Sequence, residues 1–136
     1  MTQVQYVDTM YIHQVWDLVK PFLEKGLVRS GGEYTADQLK VFLVTGMQRL
    51  LVAVEDDIIK GAAAIEFINY PNERVAFVTA VGGKMLATKE VWEQFEGWCK
   101  QNGATMVRGA AFESVARLWK KAFDVQQRYV IVEKKL

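Results

Sequence analysis

The chain has one cysteine, Cys99, and one histidine, His13. An intrachain disulfide is therefore excluded, and no Cys/His cluster exists to hold a metal. A surplus of either charge is also missing. Seventeen Lys and Arg face sixteen Asp and Glu, interspersed, for a net charge of +1. Nothing in that balance calls for nucleic acid as a partner. No apolar run approaches the roughly 20 residues of a membrane span, so no membrane contact is expected. The opening MTQVQYVDTMYIHQ has no basic stretch leading into an apolar one. A secretory signal is not expected, and an intracellular soluble protein is. Internal repeats and low-complexity segments are absent.

What is present is an ordinary globular composition in 136 residues, 51% apolar and 24% charged. One domain spanning 1–136 is expected, long enough for a real core. Aromatics reach 12%, with four Trp. Core filling accounts for them most simply; an interface or pocket is the sharper account.

QVQYV at 3–7 alternates and reads as a first strand. From Tyr11 to Leu27, Ile12, Val15, Trp16, Val19, Phe22, Leu23 and Leu27 recur at helical spacing. Pro21 is expected to kink or divide that helix. His13, near its start, reads as a solvated or capping side chain. RSGGEY at 29–34 is a loop. Thr35 and Gln38 fit a capping box for a second helix, which Gly46 ends. LLVAVED, IIKGAAAIEFINY and RVAFVTAVGG are three strands joined by the turns Glu55-Asp56-Asp57 and Pro71-Asn72-Glu73, an antiparallel meander. The small residues Gly61 to Ala64 suggest a helix lying close on the sheet.

A glycine turn, KMLATK, then leads into a helix from about Thr88 to Gln101. Its buried face is Val91, Trp92, Phe95, Trp98 and Cys99, and Thr88 is its N-cap. ATMVRGAA is a strand parallel to the one before the helix. Phe112 to Ala122 forms a last helix with Val115, Leu118 and Trp119 apolar. DVQQRYVIVEKKL is expected to close the chain as a strand with YVIV buried. The class is α/β, one mixed sheet flanked by helices, in the order β-α-α-β-β-β-α-β-α-β. A strand, glycine turn and helix start at 74–101 is where a phosphate-bearing small molecule would sit.

This order, the strand–turn–helix at 74–101 and the ending ARLWKKAFDVQQRYVIVEKKL together resemble the GNAT (N-acetyltransferase) superfamily. The resemblance implies acetyl-CoA as cofactor. Ala80, Val81, Gly82, Gly83, Lys84 and Thr88 would be its binding residues, with backbone groups of Val81 and Gly83 on the pantetheine. The strands at 80–83 and 104–109 would part to form the cleft. Glu66 is a candidate general base; as a residue of an alternating strand it also reads as simply outward-facing. Arg108 reads either as facing the cleft or as paired with a carboxylate. Trp119 stands at the usual tyrosine position, where the family often has an acid for the departing thiolate. An indole N–H donates a hydrogen bond but is no proton donor in acid catalysis. The asparagine that often opens that helix is matched by Phe112. Gly82-Gly83 come early in the turn, and Met85 and Leu86 are bulky where the family is small.

The runs VWDLVKPFLEKGLVRSGGEYTADQLKVFLVTGMQRLLVAVEDD and IEFINYPNERVAFVTAVGG are similar to a narrower group, small GNAT-like proteins of tailed bacteriophages. That resemblance implies a virion-assembly or host-interaction role, with a phage structural or host protein as partner. It places the protein in the host cytoplasm or with the virion, and leaves a homo-oligomer open. Three functions follow: an acyl-CoA-dependent N-acetyltransferase acting on an amine, a non-catalytic protein of this fold, and a convergent binding module such as an inhibitor of a host enzyme.

Overall fold

The computed structural model describes residues 1–28, 32–111 and 113–136. Part of the RSGGEY loop, 29–31, and the expected helix start at Phe112 lie outside them. The first strand is β1, Gln3–Val7; a short 3-10 turn, Thr9–Tyr11, leads into α1, Ile12–Leu27, and α2 is Ala36–Thr45. The meander is β2, Arg49–Glu55; β3, Ile58–Asn69; and β4, Arg74–Gly83. Then come α3, Lys89–Gln101; β5, Met106–Gly109; and α4, Glu113–Phe123. The sheet runs β1-β2-β3-β4-β5 in space, antiparallel except for the parallel β4–β5 pair.

Both faces of the sheet are covered, which is why its central strands are nearly continuous apolar runs. Leu50, Val52, Ala62 and Ala64 pack with Trp16, Val19 and Leu23 of α1 and Leu39 and Leu43 of α2. Leu51, Ala53, Ala63 and Ile65 point the other way, to Val91, Trp92, Phe95 and Cys99 of α3. The alanines of β3 let helices lie close on both sides, as their size suggested.

The local signals act as their chemistry predicts. Thr35 Oγ1 accepts from the Gln38 N–H at 3.2 Å, and the Gln38 side chain accepts from the Thr35 N–H at 2.9 Å. Gly46 adopts φ +81 and closes α2. Asp56 and Asp57, at φ 53 and 62, make the tight β2–β3 turn.

Three expectations need correction. Of the two outcomes expected at Pro21, a kink or a division, division does not occur, and α1 runs unbroken through it. Pro21 and Asp17, whose carbonyl the missing N–H would have met, are both on the exposed face. Water can take the place of the lost donor there. In α4, Leu118 is 60% exposed, while Trp119 and Phe123 reach the core. The closing strand does not form. After Asp124 (φ 55) and Val125, which packs on the α3 side, residues 126–136 are exposed and without ladder partners. Tyr129, Val130, Ile131 and Val132 are 61–87% exposed rather than buried. Their β propensity supplies no stability without a neighbouring strand to pair with.

Candidate functional site

The site follows from a mismatch in strand length. β4 has ten residues and β5 only four. Parallel pairing begins at Val75↔Met106 and stops at Val78↔Gly109. On its other edge, β4 slips register against β3, with Ile65↔Val78 followed by Ala64↔Ala80. Thr79 is the extra residue of that bulge. The alternation reverses across it: Ala76 and Val78 face α3, whereas Ala80 faces α1.

From Thr79 onward, the β5-side edge of β4 has no strand beside it. At this divergence the Thr79 hydroxyl is buried and has no hydrogen-bond partner among the described residues. Leaving a buried hydroxyl unpaired costs about 1–3 kcal/mol.

Ala80 is buried against the α1 cluster, and Val81 packs on the opposite face. Gly82 and Gly83 have a structural cause in α1. A Cβ on Gly82 would run into the Phe22 carbonyl, and one on Gly83 into the Lys60 carbonyl and the Phe22 ring. Gly83 also needs φ +66. Gly26 completes the contact from the helix side, since a Cβ there would lie 2.6 Å from the Val81 nitrogen. These three glycines let a helix rest on strand backbone.

The turn that follows is folded inward. The Lys84 N–H donates to the Lys60 carbonyl at 2.9 Å, holding the chain to β3. The Lys84 ammonium reaches Glu55 at 3.2 Å, and Glu55 also accepts from the Thr2 hydroxyl at 2.9 Å. Thr2 and then Lys84 hold the Glu55 carboxyl below its ordinary pKa. Met85 and Leu86 are core residues, each 3% exposed in the α3 cluster. They lie beneath α3 rather than lining the turn. Leu86 adopts φ 59, unusual for a bulky residue. Its carbonyl accepts from the Trp92 indole N–H at 3.0 Å, which fixes that backbone. Thr88 caps α3, accepting from the Val91 N–H at 3.3 Å.

Glu66 is half-buried and lies opposite Phe77, itself opposite Arg108. Residues directly opposite in a ladder share a face, so Glu66, Phe77 and Arg108 form one row. That row is next to the divergence. Arg108 pairs with Glu73 at 2.8 Å. Trp119 is on the α3 side, edge-on to Trp92 at 5.6 Å and against Gly109, the last paired residue of β5. Glu66 and Trp119 therefore approach the divergence from opposite faces. Thr79 was missed in the sequence, where it is one polar residue in an apolar strand; only the bulge singles it out.

Among the described residues, two of the cavities lie away from the turn. One, about 400 Å³, lies between the β3–β4 turn and Arg128–Tyr129; the other, about 370 Å³, lies between α3 and the end of α4. Among the described residues, no group of three or more His, Cys, Asp or Glu could hold a metal ion, and no helix is long and apolar enough to cross a membrane.

A bulged strand parting from a parallel neighbour in front of a capped helix, within this order of elements, defines the class: the fold is that of the GNAT acetyltransferases. An acetyltransferase from an uncultured soil metagenomic sample, described as acting on aminoglycosides and solved with trehalose, superposes with TM-score 0.71 at 9% identity, over 99% of this chain and 96% of that one. The ribosomal-protein-alanine N-acetyltransferase of Brucella melitensis biovar Abortus superposes with TM-score 0.67 at 12% identity, over 99% and 100%. A predicted acetyltransferase of Clostridium acetobutylicum, solved with acetyl-CoA, gives 0.65 at 15% identity, over 99% and 96%. No protein-family model matches the sequence, and no curated protein does either.

Proposed function

We propose that the chain is an acyl-CoA-dependent N-acetyltransferase that acts on an amine where β4 and β5 part. The observation carrying this reading is the buried, unpartnered Thr79 hydroxyl on a strand edge that β5 has vacated. The residues fit the reactive end of acetyl-CoA, which when bound supplies an acyl group activated as a thioester.

On this reading the Thr79 hydroxyl and backbone N–H groups of the open β4 edge donate to the acyl carbonyl oxygen as it gains charge. Glu66 accepts a proton from the acceptor ammonium, freeing the nitrogen to attack. Trp119 orients its neighbours and donates no proton, so the thiolate is protonated from water. The N-terminus of α3, capped by Thr88, faces the phosphates. Lys84 contributes less there, because Glu55 already holds it.

Calorimetry with acetyl-CoA is the test, with a thiol-release assay against small amines. Binding that weakens about tenfold in Thr79→Val is expected, the worth of one good hydrogen bond. No heat at millimolar acetyl-CoA would remove the reading.

A second reading is favoured by Trp119 at the acid position and by the exposed run 129–132. It is a bacteriophage protein that keeps the fold for virion assembly or host interaction, in the host cytoplasm or on the virion, alone or as a homo-oligomer. No tryptophan is strongly exposed to add a surface patch to it. Trp16 and Trp92 are buried, and Trp98 and Trp119 pack against the α3 cluster. Co-purification with capsid or tail components from infected cells, with no acetyl-CoA binding, would favour it over the first.

A further inference from the structure

The larger cavity has the chemistry of an anion site. Tyr70, Asn72 and Glu73 of the β3–β4 turn line it, with Arg108 of β5 and Arg128 and Tyr129 from the segment after α4. Two arginines and one carboxylate are among its lining residues. Each guanidinium lies over a tyrosine ring: Arg108 over Tyr70 at 5.8 Å, and Arg128 over Tyr129 at 5.9 Å. Stacking of this kind holds a planar cation while leaving its N–H edge available.

Neither arginine is fully paired among the described residues. Arg108 gives one N–H to Glu73 at 2.8 Å, but its Nε is buried with no acceptor among the described residues. Arg128 has no ion pair or hydrogen bond among them. A buried guanidinium N–H without an acceptor among the described residues calls for an explanation, and an anion as its acceptor is one. Planar, forked donors match the oxygens of a carboxylate or a phosphate.

One residue of the cavity lining, Arg108, links it to the proposed reaction site. Arg108 precedes Gly109, the last β5 residue paired to β4, and shares its row with Phe77 and Glu66. We infer that the cavity is the subsite for an anionic group on the amine acceptor, a carboxylate or phosphate held by Arg108 and Arg128. This assignment rests on the acyl-transfer reading.

The test follows the arginine Nε–H signals by NMR while inorganic phosphate or succinate is added to the full chain. Saturable shifts of Arg108 and Arg128 are expected, weakened about tenfold or more in Arg128→Ala, since charge-assisted hydrogen bonds exceed neutral ones. Arg128 is exposed, and an unchanged melting temperature would confirm that its variant folds. Response to phosphate alone would point to a phosphorylated acceptor, and response to succinate alone to a carboxylate. No saturable shift with either anion, or equal affinity in Arg128→Ala, overturns the assignment. Calorimetry with acetyl-CoA on the same samples separates the failures. Acetyl-CoA binding without anion binding sinks only the subsite; anion binding without acetyl-CoA binding sinks the acceptor role together with the transferase.

Discussion

Cys99 is the chain's one thiol, and the fold makes it inert. It is 2% exposed in the α3 cluster, and burial, with a smaller push from Glu96, raises its pKa to about 12. The thiolate is the reactive form. Iodoacetamide at pH 8 should therefore leave the native protein unmodified for hours and label it quickly in denaturant, as read by mass spectrometry. The sign of the pH effect follows. A folded-state pKa above the unfolded one stabilises the protein below the ordinary thiol value, and that contribution is lost as pH rises toward 12. Thr79 is the opposite case, a polar group whose buried hydroxyl makes no bond among the described residues. Thr79→Val keeps the shape and removes the orphan hydroxyl. Chemical denaturation should find it as stable as the parent, or more stable by about 1 kcal/mol. A loss of several kcal/mol would mean that the hydroxyl has a structural partner, and would weaken its assignment to the acyl carbonyl.

The contact of α1 with β4 is a close joint between elements, and glycine makes it. Gly82→Ala should lower stability by about 3 kcal/mol or more, because its Cβ meets backbone that cannot swing aside as a side chain would. A melt that barely moves would mean that α1 can lift from the strand. Gly83→Glu would disrupt the same joint and lose any ligand by unfolding, so it says nothing about binding. Much of this architecture was legible in the sequence. Thr35, Gln38, Gly46 and Thr88 carry their roles in local chemistry, and the LLVAV and GAAAI runs announce strands buried on both faces. What was not legible depends on direction and partners. Met85 and Leu86 look like obstructions in a turn until the fold turns them beneath α3. The packing role of Gly82 and Gly83 shows only once Phe22 is placed over them. Thr79 gains meaning only from a bulge that reverses the pleat, and Glu66, Phe77 and Arg108 only from register across three strands.

For the molecule as a whole, the unusual feature is the end of the chain. YVIV has the composition of a strand, yet Val130, Ile131 and Val132 are 72–87% exposed. Nearby, β5 ends the sheet with four residues and an outer edge that no other strand covers. An open edge and an unpaired β-branched run are each templates for strand addition between chains. Within one chain, 130–136 bury almost nothing, so deleting them should move the melting temperature by less than about 2 °C, under about 1 kcal/mol on the roughly 2–4 °C per kcal/mol scale of domains near this size. The shortened chain keeps Arg128 and Tyr129, and so keeps the cavity. Its association should change instead. Size-exclusion chromatography with light scattering should show concentration-dependent growth in mass for the full chain and a fixed monomer mass for the shortened one. A melting temperature that falls by more than about 5 °C in dilute solution would mean that the segment packs on its own sheet. The exposed run would then be a strand that folds back, with no role in joining chains.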